Sequence, residues 1–235
     1  MQRYFITGTD TDCGKTYVTC MLLDSFVIQS AAKDPLAIPR CHSREILRCA
    51  QDDSFLAIKP IASGLVLENE QWLSPDVIAL NKHNPQHHFN INPWCFKTPV
   101  SPHIAARLEG QEISLQALSD YCFHPQFDIY DVLLIEGAGG VMAPITDTLT
   151  WVDFLKETRI PSIVVVGMKL GCLNHALMTI SVLKSNDLPI HGFIANQIDP
   201  NMLAFDENLA TLQARLGVPY LGIMPYGGLS GRGEC

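Results

Sequence analysis

Short, uninterrupted apolar runs alternate along this chain with longer segments whose apolar residues recur at helical spacing. The run at 132–135 (VLLI) has no polar alternation, which is typical of a strand buried on both faces of a parallel sheet. By contrast, Val18, Met21 and Leu22 return to one side of a helix. These patterns predict strands at 3–7, 55–60, 132–135, 162–166, 190–196 and 220–224.

The segments between these strands predict helices. Ser74 and Pro75 indicate one helix start, because serine caps a helix and proline fits its first position. Helices are predicted at 15 to about 28, 75–82, 114–122, 150–158, 175–185 and about 206–216, and a further one begins at about 101–102. Strands that alternate with helices predict an α/β fold with a mostly parallel sheet and helices on both faces.

One segment does not fit this alternation. Residues 29–53 contain two prolines and no sustained period. They are far longer than the usual connection of about two to six residues between a helix and the next strand. We interpret them as a loop-like insertion, in preference to a lid or an interaction element. No repeat or linker divides the rest, so residues 1–235 are predicted to form a single domain.

Composition and charge narrow the classes of function. Apolar residues make up 47% of the chain and charged residues 17%, which supports a sizeable core. A net charge of −8 without a basic stretch argues against a nucleic-acid partner. No apolar run approaches the roughly 18 residues needed to cross a bilayer. The amino terminus runs directly into a glycine loop, so we expect no signal peptide and a cytoplasmic protein.

Cysteine and histidine spacing gives no metal signature. The eight cysteines include no C-x-x-C pair, so we expect scattered reduced thiols. His83, His87 and His88 share a polar stretch without Cys or carboxylate partners at ligand spacing. We interpret that stretch as a solvated loop.

The clearest chemical motif is the loop GTDTDCGKT, from Gly8 to Thr16, between a predicted strand and a predicted helix. Such a loop directs backbone N–H groups and a helix amino terminus at phosphate oxygens. Lys15 can reach the β- and γ-phosphates, and the Thr16 hydroxyl can bind Mg²⁺. Five residues separate Gly8 from Gly14, where the common pattern has four. The motif predicts a nucleotide site built on a variant phosphate loop.

Three further polar groups are predicted to converge on this loop. Lys59 follows the second strand, and Glu136 follows the run at 132–135. Parallel strands present such residues together at their carboxyl ends. Glu136 is placed to act as the acid that binds Mg²⁺, and Asp76 is a further candidate beside a helix amino terminus.

Together these motifs resemble those of dethiobiotin synthetases. The matching segments are GTDTDCGKT at 8–16, KPIASG at 59–64, SPH at 101–103, EGAGG at 136–140, VGMKLGCLNH at 166–175 and AN at 195–196. The resemblance covers most of the chain outside 29–53 and the last ten residues. It implies a P-loop NTPase-like fold.

The resemblance also implies a role for each matching residue. Lys59 and Lys15 would be catalytic, with Thr11 near the reacting amines. Mg²⁺ would be bound by Thr16, Asp76 and Glu136. The nucleotide would contact Asp12, Cys13, Gly14, Lys15, Thr16, Tyr17, Asp76, Glu136, Gly137, Ala138, Gly139, Asn196, Gln197, Pro225, Tyr226 and Gly227. The second substrate would contact Ser63, Gly140, Leu170, Gly171, Cys172 and Asn174.

The implied reaction consumes 7,8-diaminononanoate, CO₂ and ATP in a homodimer whose interface includes residues 169–174. Two other functions remain open. A regulatory P-loop ATPase usually carries an additional lysine early in the loop, and residues 8–13 contain none. A small-molecule kinase would not by itself explain the segments 59–64 and 169–174. Gln197 stands where the family often has aspartate.

Overall fold

A computed structural model describes residues 1–31, 53–68 and 70–227. Six strands form one sheet in the order β10-β9-β8-β1-β7-β2, and every neighbouring pair is parallel. Two small sheets, β3-β6 and β4-β5, lie apart from it. The strands are β1 (Gln2–Gly8), β2 (Phe55–Ile58), β3 (Ile61–Ser63), β4 (Val66–Glu68), β5 (Gln71–Leu73), β6 (Trp94–Phe96), β7 (Val132–Gly140), β8 (Ser162–Gly167), β9 (Ile190–Asn196) and β10 (Tyr220–Met224).

Seven α-helices connect the strands in the described ranges. They are α1 (Lys15–Ala31), α2 (Pro75–His83), α3 (Pro102–Leu108), α4 (Leu115–Cys122), α5 (Trp151–Thr158), α6 (Cys172–Ser185) and α7 (Phe205–Leu216). Capping side chains explain several of their starts. Ser74 caps α2, Ser114 caps α4, and Thr150 forms a reciprocal capping box with Asp153 at α5.

The central sheet is covered on both faces. Consecutive residues of a strand point to opposite faces, yet Leu133, Leu134 and Ile135 of β7 are all fully buried, as are Ile163 to Val166 of β8. The predicted α/β fold is therefore confirmed, and the apolar runs identify its most buried strands. This arrangement leaves the carboxyl ends of β1, β7 and β2 side by side.

Element boundaries differ from the predictions at several points. Helix α1 continues to Ala31, so the first three residues of the predicted insertion are helical, and residues 32–52 lie outside the described ranges. Helix α6 begins at Cys172, three residues before the predicted start. The pairs β3-β6 and β4-β5 were not predicted, because strands of three residues show no period of their own.

The histidine and cysteine predictions have different outcomes. The assignment of His83 to a solvated loop is wrong, because His83 is the last residue of α2 and its Nδ1 lies 2.6 Å from Asp24 Oδ1. His87 and His88 follow the helix in irregular structure. Cys13, Cys20, Cys95, Cys122 and Cys172 are free thiols, and the other three cysteines lie outside the described ranges. No helix in the described ranges is long and apolar enough to cross a membrane.

Candidate functional site

The candidate site forms where three neighbouring strands end. In the sheet register, Ile6 of β1 pairs with Glu136 of β7, and Ile58 of β2 pairs with Ile135. The loop after β1, the Glu136 side chain and the Lys59 side chain therefore emerge at the same edge. Glu136 meets Lys59, which is 77 positions away in the sequence, and Thr16, which is 120 positions away, as the sequence predicted.

The phosphate loop wraps tightly between the end of β1 and the start of α1. Lys15 is buried, and its ammonium donates hydrogen bonds of 3.1 Å to the main-chain carbonyls of Asp10 and Thr11. Gly14 has φ +80°, and a methyl group on its Cα would overlap the Asn196 amide. Only glycine fits that position without strain or displacement. The loop thus brings a lysine and the amino terminus of α1 to one concave surface.

A buried cation and two carboxylates lie beside this loop. The Lys59 ammonium donates a hydrogen bond of 2.7 Å to Glu136 Oε1 and also contacts the Asp76 carboxylate. The Thr16 hydroxyl donates to the same Glu136 oxygen at 2.6 Å. Lys59 is 5% exposed and Glu136 is 0% exposed. Lys59 is therefore not a solvated surface lysine, in agreement with the functional interpretation of its sequence position.

Opposing effects set the charges of this cluster. Burial disfavours the ammonium, but the charges of Glu136 and Asp76 and its hydrogen bonds to both outweigh that effect, so the pKa of Lys59 is raised. Burial also disfavours the Asp76 carboxylate, but Lys59 opposes it by charge and hydrogen bond, and the pKa of Asp76 is lowered. Lys59 is positively charged at neutral pH and Asp76 is negatively charged.

The donor set fits a hard divalent cation. Glu136 Oε2 is buried and has no hydrogen-bond partner among the described residues, so it is an acceptor available for a ligand. The Thr16 hydroxyl and the Asp76 carboxylate contact the same cluster, and oxygen donors of this kind are those that Mg²⁺ prefers. The three residues that could hold the metal are thus brought together.

A cavity of about 320 Å³ opens above these groups. Its lining contains nine of the residues that the sequence suggested for catalysis, metal or nucleotide, one of the six suggested substrate contacts, and Ala62, which was not suggested. The lining residues are Thr11, Asp12, Gly14, Lys15, Thr16, Lys59, Ala62, Ser63, Asp76, Ala138 and Gly139.

The side of the loop toward β9 and β10 is also pinned by hydrogen bonds. The Asn196 side chain is 2% exposed, and its Nδ2 donates to Cys13 O at 2.9 Å. Its Oδ1 is buried without a hydrogen-bond partner among the described residues. The Tyr17 hydroxyl donates to Pro225 O at 3.0 Å, and Gln197 N donates to Met224 O at 2.9 Å. Asn196, Gln197 and Pro225 therefore lie together next to the phosphate loop.

Comparison with known proteins identifies the family. The "ATP-dependent dethiobiotin synthetase BioD" of Legionella pneumophila strain Corby is 45% identical over 231 residues, which cover 97% of this chain and 95% of that protein. The protein of the same name from Aromatoleum aromaticum is 38% identical over 230 residues, covering 96% and 91%. This chain belongs to the dethiobiotin synthetase family.

Two broader matches agree on the fold. A family model described as "AAA domain" matches residues 46–232, a range that begins after the phosphate loop. The "MinC:MinD cell division protein complex" of Aquifex aeolicus contains a chain with a TM-score of 0.51 and 16% identity, covering 96% of this chain and 81% of that one. At that identity the likeness concerns the fold alone. The dethiobiotin synthetase fold of this chain is thus of the P-loop NTPase type.

In this family member, the segment 169–174 lies at the edge of the site and is largely open to solvent. Leu170 is 98% exposed, and Asn174 is exposed as well. Gly171 has φ +94° and precedes α6, whose first residue, Cys172, is buried. Lys169 Nζ lies 2.9 Å from Asp10 Oδ2, which links the segment to the phosphate loop. Of the suggested substrate contacts, Ser63 lines the cavity.

Two residues that shape this site were not singled out from the sequence. Asp10 bridges the loop, because its Oδ1 accepts the Thr11 N–H at 2.8 Å while its Oδ2 faces Lys169. Asn92 is buried beside the main chain of Lys59. Asp10 stands inside the loop motif, so its position was a usable signal. An asparagine in a segment without a recognisable period gives no comparable signal.

Proposed function

We propose that this chain converts 7,8-diaminononanoate and CO₂ into dethiobiotin, with ATP consumed and ADP and phosphate released. Membership of the dethiobiotin synthetase family supports the reaction. The observation that carries the proposal is Lys59: a buried ammonium held between Glu136 and Asp76, next to a phosphate loop. Burying a charged side chain costs free energy unless the charge has partners, and buried charged groups of this kind often belong to functional sites.

The proposed reaction has three steps. One substrate amine takes up CO₂ to give a carbamate and a proton. A carbamate oxygen then attacks the γ-phosphorus, the bond to ADP breaks, and a carbamic-phosphoric anhydride forms. The second amine attacks the carbamoyl carbon, which closes the five-membered ring and expels phosphate, with loss of the amine proton.

Phosphoryl transfer of this kind depends mainly on positioned positive charge. We assign Lys15 to the β- and γ-phosphates and Lys59 to the negative charge that develops on the transferred phosphoryl group and the carbamate. Ser63 and Thr11, which line the same cavity, would orient the diamine. Both ammonium groups are buried, so water screens their charges weakly.

We further propose that Mg²⁺ is the metal and that Thr16, Asp76 and Glu136 hold it. When bound, Mg²⁺ would supply positive charge that neutralises the phosphates of ATP. Support comes from the buried, unpaired Glu136 Oε2 in the described structure. On the nucleotide side, Asn196, Gln197, Pro225, Tyr226 and Gly227 would surround the base, and the backbone of 137–139 would approach the phosphates.

Assembly and location complete the proposal. We propose a homodimer in which residues 169–174 meet the partner and bind the carboxylate end of the diamine; the nearly complete exposure of Leu170 leaves this segment accessible to a partner. Light scattering after gel filtration tests this. We expect the enzyme to act in the cytoplasm, where thiols such as Cys13 and Cys172 stay reduced. We also propose that residues 1–235 form a single domain.

A direct assay tests the proposed reaction. ATP hydrolysis is measured with and without 7,8-diaminononanoate and bicarbonate, and dethiobiotin is followed by mass spectrometry. We expect hydrolysis to depend on the diamine and to yield one dethiobiotin for each ATP consumed. Hydrolysis indifferent to the diamine, or phosphorylated diamine as the final product, would point to a regulatory ATPase or to a kinase.

A further inference from the structure

Lys59 leaves the sheet at the end of β2, which is an edge strand among the described residues. Of the described strands, only β7 pairs with β2, so the outer N–H and C=O groups of β2 need other partners. The Asn84 side chain supplies them for Ala57: its Oδ1 accepts the Ala57 N–H at 2.8 Å, and its Nδ2 donates to Ala57 O at 2.9 Å. One asparagine thus replaces a missing strand two residues before Lys59.

A second asparagine does the same for Lys59 itself. Asn92 is 6% exposed, and its Nδ2 donates to Lys59 O at 2.7 Å and to Pro60 O and Trp94 O at 3.3 Å each. The Lys59 N–H donates to Ile91 O at 3.1 Å. Both main-chain groups of Lys59 are therefore bound by residues 91 and 92. Of the three hydrogen bonds that Asn92 Nδ2 donates, the shortest is the one to the Lys59 carbonyl.

We propose that Asn92 is a positioning residue for Lys59, fixing its main chain so that the ammonium stays between Glu136 and Asp76. The inference rests on the catalytic role proposed for Lys59. It assigns Asn92 to turnover and not to nucleotide binding, because Asn92 does not line the cavity beside the phosphate loop. If Asn92 only packed against its neighbours, its substitution would not affect turnover and nucleotide binding differently.

Burial explains why the position of the main chain matters here. A solvated lysine can compensate for a shifted Cα by changing rotamers of its long stem. The Lys59 stem is enclosed, with 5% of the residue exposed, so its neighbours restrict that adjustment. A displacement of about 1 Å at a reacting group can lower a rate by about a hundredfold.

The test compares one substitution at the two asparagines. Asn92→Asp keeps the shape but replaces a donor by an acceptor that faces three carbonyls. Asn84→Asp makes the same chemical change at a residue whose side chain binds the same strand at Ala57 and not at Lys59. We expect Asn92→Asp to lower kcat about tenfold to a hundredfold while KM for ATP changes less than about threefold. Asn84→Asp should lower the melting temperature comparably but keep kcat within about twofold.

A double substitution separates positioning from general damage. In the Lys59→Ala background, Asn92→Asp should lower the residual turnover no further, because the group it positions is gone. Equal losses of kcat in both backgrounds, or equal losses for Asn92→Asp and Asn84→Asp, would overturn the inference. If Asn92→Asp does not fold, Asn92→Ser, which retains one donor, is measured by the same comparison.

The two proposals can fail separately. Normal turnover by Lys59→Ala would remove Lys59 from the reaction, and the role of Asn92 would fall with it. An inactive Lys59→Ala beside fully active Asn92 variants would leave the proposed function intact and overturn this inference alone.

Discussion

Two charged contacts beside the phosphate loop differ sharply in their surroundings. Lys59 meets Glu136 in the interior, where both residues are almost fully buried. Lys169 meets Asp10 at the rim, where both side chains are more than one-third exposed. The distances are similar, 2.7 Å and 2.9 Å. Geometry alone would therefore rank the two pairs as equals.

The surroundings give the pairs different tasks. Removing one partner of a buried pair leaves an uncompensated charge and commonly costs about 3–5 kcal/mol. An exposed pair contributes about 0–1 kcal/mol, because water screens it. The buried contact maintains a charge where phosphoryl transfer is proposed, whereas the exposed contact can only adjust the position of a loop. The proposed chemistry thus centres on the buried contact, and the contact at the rim is exposed to solvent.

The largest expected effect comes from the buried side. Lys59→Ala should lower the rate of ring closure by about a hundred- to a thousandfold, because one positioned charge is lost from the transition state. Steady-state turnover with saturating ATP measures this. Lys82→Ala, an exposed lysine on α2, is the matched control and should behave as wild type. Near-normal turnover of Lys59→Ala would mean that the buried charge is structural.

The next largest effect concerns the open rim. Leu170→Glu places a charge on the most exposed leucine of the segment proposed to meet a partner. If that leucine is buried in a homodimer, the dissociation constant should rise at least about tenfold, from lost apolar burial and an unpaired carboxylate. Sedimentation measures it. Leu203→Glu changes another leucine that is 88% exposed, outside the proposed interface, and should leave assembly unchanged. Identical sedimentation of both variants and wild type would contradict the proposed interface.

A neutral hydrogen bond supplies an intermediate case. Tyr17→Phe removes the hydroxyl that donates to Pro225 O and so frees the chain after β10. We expect KM for ATP to rise about threefold to tenfold, from a net loss of about 0.5–1.5 kcal/mol, with kcat unchanged. Tyr130→Phe is the control, because Tyr130 precedes the amino-terminal end of β7 and the candidate site lies at the carboxyl end. A fall in kcat without a change in KM would exclude this nucleotide-side role.

The same contrast explains what the sequence could reveal. The buried strands were predictable, because an apolar run such as 132–135 reports its own environment. The site was predictable where it followed such strands: Lys59 and Glu136 were expected to meet Lys15 and Thr16 because parallel strands share one carboxyl edge. These predictions depended on local pattern and on one topological rule.

Several of the missed features depend on long-range partners. The pairing of β3 with β6 joins two three-residue strands more than 30 positions apart, and neither has a visible period. The contacts of Asn92 depend on which carbonyl groups the fold brings to its amide. His83 appeared to belong to a polar loop because its partner, Asp24, lies on another helix. The sequence pattern predicts well which residues are buried, but it predicts poorly which distant residues they contact.

The smallest effect tests the exposed pair directly. Hydrogen bonds from Lys169 and then from the Thr11 N–H hold the pKa of Asp10 below its ordinary 3.8. A lowered carboxylate pKa contributes stability above the unfolded value, and that contribution is lost as pH falls through the folded value. In a double-mutant cycle of Asp10→Asn and Lys169→Met, we expect a coupling below about 1 kcal/mol at neutral pH and low salt.

Molar salt should remove most of this coupling, since the Debye length then falls to about 3 Å. Acidification below the lowered pKa of Asp10 in the folded protein should remove it as well, because the protonated carboxyl no longer attracts the ammonium. Chemical denaturation of the four proteins at each condition gives the coupling free energy. A coupling of several kcal/mol that resists salt would show that the Lys169–Asp10 pair behaves as a buried one, and the distinction drawn between the interior and the rim would fail there.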